Sequence, residues 1–152
     1  MKKTALIILL LVSQAGFACD CDWIGNFFVA SIKMDLVVKI KVISKIADED
    51  GFNEKMTVEI IDRFRGEETK NIITIWGDGG ADCRPYIDYF DIGDICYLAL
   101  SKFGQEYEQI NCGELFLKVI NGKVIGDEGV RSELPQISRM TEVDFLARLK
   151  KQ

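Results

Sequence analysis

Five successive segments of this chain carry the apolar pattern of β-strands, and this succession limits the fold more than any other feature. β-Branched and aromatic residues recur in these segments, and glycine, asparagine or aspartate separates them with turn chemistry. The predicted strands are residues 34–46, 55–64, 71–76, 94–101 and 106–112. Five strands in this order favour a mostly β fold, a five-stranded OB-type Greek-key barrel with short flanking helices and a C-terminal helix.

A long loop and a hairpin complete the predicted β-rich part. Residues 77–93 are rich in glycine and aspartate, so they predict an irregular loop, and this loop holds Cys83. Asn121-Gly122, between predicted strands at 115–120 and 123–125, is a strong signal for a two-residue hairpin turn. The loop aspartates match the spacing of no calcium-binding loop, so turn chemistry explains them better: Asp78, Asp82, Asp88 and Asp91.

Two helices are predicted at the ends of the domain. Thr141 is a suitable N-cap for a C-terminal helix, whose apolar positions have helical spacing: Val143, Phe145, Leu146 and Leu149. A first helix is predicted between residues 22 and 31, with Trp23, Phe27 and Ala30 on one face. Trp23, Phe27 and Phe28 form either a contact ridge or the core side of this helix, and the core is the better interpretation.

The first residues have the features of a secretory leader. Lys2 and Lys3 precede an apolar run over residues 5–12, and the small residues Gly16 and Ala18 follow it. We therefore predict a signal peptide over residues 1–18 and a secreted or extracytoplasmic protein. The remaining chain of about 134 residues (152 − 18) has the length of a single domain.

Charge and residue types argue against nucleic-acid binding and against catalysis. The net charge is −5, and no cluster of lysine and arginine is present to anchor a phosphate backbone. The chain has no histidine, which excludes Ser-His and Cys-His catalysis. A Cys-x-Cys thiol oxidoreductase is disfavoured because acidic neighbours raise thiol pKa values. We predict no enzymatic activity, no cofactor and no nucleic-acid partner.

The cysteines point to an oxidising compartment and to a special N-terminus. Five cysteines in an exported chain predict disulfides, and the odd number leaves one unpaired or modified. If the leader is cut after Ala18, Cys19 becomes the first residue, and Cys21 stands two positions on. The amine, carbonyl and thiol of such a residue can ligate a metal ion. The simpler interpretation is that both cysteines only form disulfides that stabilise the fold. Cys96, in an apolar strand, is predicted to be a buried thiol.

The order of several weak motifs resembles the N-terminal inhibitory domain of tissue inhibitors of metalloproteinases (TIMPs), part of the netrin-like (NTR) domain group. Cys19 and Cys21 match its Cys-x-Cys start, and Cys83 and Cys112 match later cysteines. The strands that resemble the family's are residues 35–39, 58–66 and 97–102. The resemblance covers residues 19–115. Residues 116–152 are then a hairpin and helix extension that we expect to pack on the same domain. The family's third bridge and its cysteine-rich second domain have no counterpart.

The resemblance implies an inhibitory contact formed by Cys19, Asp20 and Cys21. In the family the amine and carbonyl of the first cysteine chelate the catalytic zinc of a target protease, so Cys19 is the expected ligand of the target's zinc. The implied disulfides join Cys19 to Cys83 and Cys21 to Cys112. Asp20 takes the position that enters the target's specificity pocket. Since a carboxylate in an apolar pocket is costly, the expected target has a basic or open pocket.

Two alternatives to inhibition stay open at this point. In the first alternative, the domain is a netrin-like binding or adhesion module for another extracellular protein, since one fold hosts several functions. In the second, Cys19 is acylated, and the protein is a lipoprotein anchored to a membrane. Acylation consumes both the thiol and the amine of Cys19, so zinc chelation and this anchor exclude each other.

Overall fold

The computed structural model describes residues 22–78, 83–126 and 140–151. The described chain is mostly β, with a closed five-strand barrel, a short helix and a C-terminal helix. The barrel strands are β1 (Leu36–Ala47), β2 (Asn53–Arg65), β3 (Ile72–Trp76), β4 (Ile95–Phe103) and β5 (Glu106–Glu108). The other elements are helix α1 (Phe27–Ser31), a 3-10 helix (Ile87–Tyr89), β6 (Phe116–Ile120), β7 (Lys123–Ile125), β8 (Met140–Thr141) and helix α2 (Glu142–Leu149).

The barrel closes because β1 pairs along both of its edges. One edge pairs with β2, and residues 36–41 of the other edge pair with residues 95–100 of β4. The strand order runs β1-β2-β3-β5-β4 and returns to β1, with β3 and β5 parallel and the other neighbours antiparallel. Register shifts between β1 and β2 bend these long strands, as closure requires. The predicted OB-type barrel is confirmed.

Residues after the barrel extend its sheet. Strand β6 pairs with residues 96–98 of β4, and β7 and β8 continue the sheet outward. The turn between β6 and β7 has positive φ at Asn121 (52°) and Gly122 (70°), which confirms the predicted hairpin turn. Thr141 caps α2 by accepting a hydrogen bond from the Asp144 N–H (3.2 Å).

Two apolar clusters lie on opposite faces of β1 and β4. One fills the barrel and includes Leu36, Val38 and Leu98. The second cluster packs the outer face under α1 and α2 and includes Tyr97, whose ring centroid lies 4.5 Å from that of Phe145. Because successive strand side chains point to opposite faces, a strand covered on both faces is apolar throughout. This explains the unbroken apolar run of β4.

Several predicted boundaries were wrong. Helix α1 begins at Phe27 rather than near residue 22, because Gly25 has a φ of 128° and Asn26 is the N-cap. Trp23 precedes the helix and is 39% exposed, so it is not a core residue. Strand β5 ends at Glu108 rather than at 112. Val143 of α2 is 76% exposed and does not belong to the buried face of that helix.

Candidate functional site

The residues predicted to form the inhibitory contact are not described by the structure, but the cysteines that the resemblance pairs with them are. Cys19, Asp20 and Cys21 lie outside the described residues, so the zinc contact and the proposed pairing stay predictions. Cys83 and Cys112 are described, and each is disulfide-bonded. The free cysteine of the described chain is Cys96.

Cys83 and Cys112 lie close together in the fold, beside the start of the described chain. The Asn111 N–H donates to the Cys83 carbonyl (3.0 Å), and the Ile24 N–H donates to the Cys112 carbonyl (2.7 Å). Backbone hydrogen bonds therefore bring three distant parts of the sequence together. We call this group, residues 22–26, 83–84 and 111–114, the cysteine edge.

The first residues of the cysteine edge are fixed by further bonds to residues 113–114. The Glu114 N–H donates to the Gly25 carbonyl (3.0 Å), and the Glu114 carboxylate accepts from the Phe27 N–H (3.2 Å). Gly113 lies so close to Gly25 that an added Cβ would stand 3.3 Å from the Gly25 carbonyl oxygen. The first residues of the described chain are thus held in place by hydrogen bonds to residues 112 and 114.

Helix α1 anchors the other side of the same segment. Asn26 accepts a hydrogen bond from the Val29 N–H (3.2 Å) and so caps the helix. Phe27 is fully buried, and its ring lies 5.6 Å from the Phe145 ring. This confirms the core interpretation for Phe27, whereas Phe28 is only partly buried. The rigid start of the described chain is thereby tied to the C-terminal helix.

Arg84 ties the Cys83 loop to strand β5. Its Nε and Nη2 atoms lie 2.8 Å and 2.7 Å from one carboxylate oxygen of Glu108, and both side chains are mostly buried. The guanidinium carbon also stands 4.9 Å from the centre of the Phe103 ring. The ion pair and the ring contact hold Arg84 in place, and Arg84 directly follows Cys83 in the chain.

Trp76 extends this arrangement along the neighbouring strand. The Lys55 ammonium stands 3.5 Å from the centre of a Trp76 ring, and the indole N–H donates to the Glu106 carboxylate. Sequence reasoning missed Trp76, Arg84 and Glu108. Their proximity depends on the parallel register that sets Trp76 opposite Glu108, and no local pattern signals that register.

Gln109 is a buried polar residue of the same region. Its side chain is 2% exposed, and its amide Nε2 has no hydrogen-bond partner among the described residues. The Gln109 backbone N–H donates to the Trp76 carbonyl (3.4 Å). A buried donor without a partner is costly, so the polar interactions near the cysteine edge are incomplete within the described chain.

Cys96 takes no part in the cysteine edge. It is fully buried in the barrel interior, which confirms the prediction of a buried thiol. Burial, together with the negative charge of Asp94, raises the pKa of the Cys96 thiol to about 12. The thiol is therefore protonated and unreactive at neutral pH.

The described residues hold no group of three or more acidic, cysteine or histidine side chains that could bind a metal ion. Asp82, one of the loop aspartates weighed for calcium, lies outside the described chain. Asp88, another of them, is held by the Asn53 amide (2.6 Å) and by Lys45 (3.5 Å). Within the same described ranges, no helix has the length and apolarity needed to cross a bilayer.

Comparison with known proteins assigns no family. The chain matches no family model, and a search of curated proteins finds no significant relative. The function of the chain is therefore inferred from its own geometry.

Proposed function

We propose that this chain is an exported inhibitor of a zinc metallopeptidase that chelates the target's zinc through the amine and carbonyl of Cys19. The observation that supports this proposal is the proximity of Cys83 and Cys112, beside the start of the described chain. These are the two cysteines that the TIMP resemblance pairs with Cys19 and Cys21.

Few residues separate Cys19 from the start of the described chain, which supports an N-terminus near the cysteine edge. Cys19 stands three residues before Asp22 (22 − 19), and an extended segment of that length spans at most about 11 Å. A chain cut after Ala18 would therefore begin near the cysteine edge. Two disulfides to a rigid backbone would hold that terminus in one conformation, which lowers the entropy lost on binding.

The chemistry of an N-terminal cysteine suits an open zinc site. A catalytic zinc has three protein ligands and one exchangeable position, which a bidentate amine and carbonyl can occupy. An α-amino group has a pKa near 8, so the unprotonated amine is accessible near neutral pH. Asp20 would then face the target's specificity pocket, and its carboxylate favours a target whose pocket is basic or open.

The state of the N-terminus is the first measurement. Intact mass and N-terminal sequencing should give a chain that starts at a free Cys19 and carries two disulfides. A mass increased by acyl chains, with a blocked terminus, would contradict inhibition and support the lipoprotein alternative.

Inhibition is then measured against a set of zinc metallopeptidases. A variant with one alanine added before Cys19 should lose inhibition, because the added residue moves the amine away from the Cys19 carbonyl. The matched control carries one alanine after Gln152 and should inhibit as the wild type does. Equal inhibition by both extended proteins would exclude chelation by the N-terminus. Asp20→Ser should improve inhibition of enzymes with deep apolar pockets.

A further inference from the structure

A second surface combines exposed aromatic side chains with an excess of negative charge. It consists of residues 46–54, around the turn from β1 to β2, and residues 86–94, around the 3-10 helix. We call it the acidic–aromatic surface. The first range contains four carboxylates, the second contains three, and neither contains a lysine or an arginine. None of these residues belongs to the cysteine edge.

Asp88 joins the two ranges into one surface. Its carboxylate accepts a hydrogen bond from the Asn53 side-chain amide (2.6 Å) and pairs with the Lys45 ammonium (3.5 Å). Asn53 directly follows the turn, and Asp88 is the central residue of the 3-10 helix. The turn and the 3-10 helix are therefore neighbours, although they stand far apart in the sequence.

The aromatic side chains of this surface are exposed on hydrogen-bonded backbone. Ile87 and Phe90 are buried in the barrel core, while Tyr86 and Tyr89 are 50% and 51% exposed and lie edge to face at 5.9 Å. The nearby turn exposes 65% of Phe52.

Asp48 fixes that turn. Its carboxylate accepts hydrogen bonds from the backbone N–H groups of Asp50 (3.0 Å) and Phe52 (2.8 Å). The exposed rings are thus presented by a bonded turn and a short helix, which reduces the ordering needed on binding.

Much of the negative charge on this surface is not neutralised by the chain itself. Lys118 pairs with Asp94 (2.8 Å), and Lys45 pairs with Asp88. Glu49, Asp50 and Asp91 are exposed and form no ion pair within the described residues. Isolated exposed apolar residues are normal, but exposed rings beside unpaired carboxylates suit a cationic ligand.

We propose that the acidic–aromatic surface binds an arginine- or lysine-rich segment of a partner protein. A guanidinium group stacks on an aromatic ring and pairs with a carboxylate at the same time, so both features of the surface are used. Nucleic acids and anionic lipid surfaces are repelled by the same carboxylates. A neutral polysaccharide uses the rings but gains nothing from the charge. This inference does not depend on inhibition through Cys19.

The test measures fluorescence anisotropy of a labelled arginine–glycine repeat peptide titrated with the intact protein at low ionic strength. A glutamate–glycine peptide of equal length is the charge control for the probe. We expect the basic peptide to bind, the acidic peptide not to bind, and added salt to weaken binding. The protein with an alanine added before Cys19 should bind the peptide unchanged, which separates this surface from the cysteine edge.

Two double charge reversals locate the binding. Glu49→Lys with Asp91→Lys should weaken binding about 10-fold, as expected from the loss of several exposed ion pairs. Glu59→Lys with Glu67→Lys is the matched control, because it changes the net charge equally at exposed positions outside the surface. All four side chains are exposed, so the thermal unfolding midpoint should stay near that of the wild type.

Two single variants test the contribution of the rings. Phe52→Ser and Tyr89→Ser should each weaken binding about 2- to 5-fold, the size of an exposed cation–π contact. The proposal is overturned if the basic peptide does not bind, or if both double reversals weaken binding equally. It is also overturned if a neutral glucan oligosaccharide displaces the peptide, or if neither ring variant has an effect.

Discussion

Replacing Glu142 by glutamine tests whether one shared carboxylate holds the C-terminal helix to the barrel. The Glu142 carboxylate accepts hydrogen bonds from the Lys39 ammonium (2.5 Å) and from the Tyr97 hydroxyl (2.7 Å). The Lys39 and Glu142 side chains are each 22% exposed. Hydrogen bonds to charged groups are worth about 1.5–3 kcal/mol, and glutamine keeps only a neutral acceptor. We therefore expect Glu142→Gln to lower the free energy of unfolding by about 1–3 kcal/mol at neutral pH.

The pH dependence separates this carboxylate from its neighbours. The hydrogen bond from Lys39 lowers the Glu142 pKa below its ordinary value of 4.5, with help from Tyr97 and against the opposing effect of burial. Folding thus favours the ionised form. The stabilisation is complete above the unfolded pKa and is lost as the pH falls through the folded pKa. The difference between wild type and Glu142→Gln should narrow steadily below about pH 4.5.

Urea unfolding followed by tryptophan fluorescence measures both effects. Glu67→Gln is the control, since Glu67 is exposed, and it should leave the free energy of unfolding within about 0.5 kcal/mol of wild type. Lys39→Met and the double variant with Glu142→Gln complete a cycle that isolates the coupling between the two side chains. A difference that stays constant from neutral to acidic pH, or a coupling of zero, would refute the shared-carboxylate argument.

Phe145→Ala should destabilise the protein by about 3–5 kcal/mol, because the ring is fully buried. Val143→Ala, on the exposed face of the same helix, should cost under about 0.5 kcal/mol in the same urea titration. Equal effects of the two substitutions would contradict the packing of α2. Gly66→Ala should lower the melting temperature, because Gly66 has a φ of 93° and an added Cβ would stand 2.5 Å from the Asp35 carbonyl oxygen; an unchanged melting temperature would contradict this. Cys96 should resist a maleimide reagent at pH 8 until urea unfolds the chain. Mass spectrometry of the peptide that contains Cys96 measures the labelling, and labelling before unfolding would contradict the prediction.

The candidate site was only partly accessible from the sequence. The sequence predicts Cys83 and Cys112 as candidates, but their proximity depends on hydrogen bonds from Asn111 and Ile24 that no local pattern predicts. No local sequence pattern indicates a role for Arg84, the residue that follows Cys83. Its partner Glu108 becomes a neighbour only through the parallel pairing of β3 and β5.

Local sequence patterns determined the strands, the hairpin turn and the C-terminal helix. The alternation in residues 36–42, the Asn121-Gly122 turn and the Thr141 cap each depend on backbone geometry within a few residues, so the sequence alone predicts them. Tertiary structure decided where β5 ends, why β4 is buried on both faces, and which aromatic residues stay exposed. These properties depend on strand register and on contacts between residues far apart in the chain, and no periodicity of a short segment contains that information.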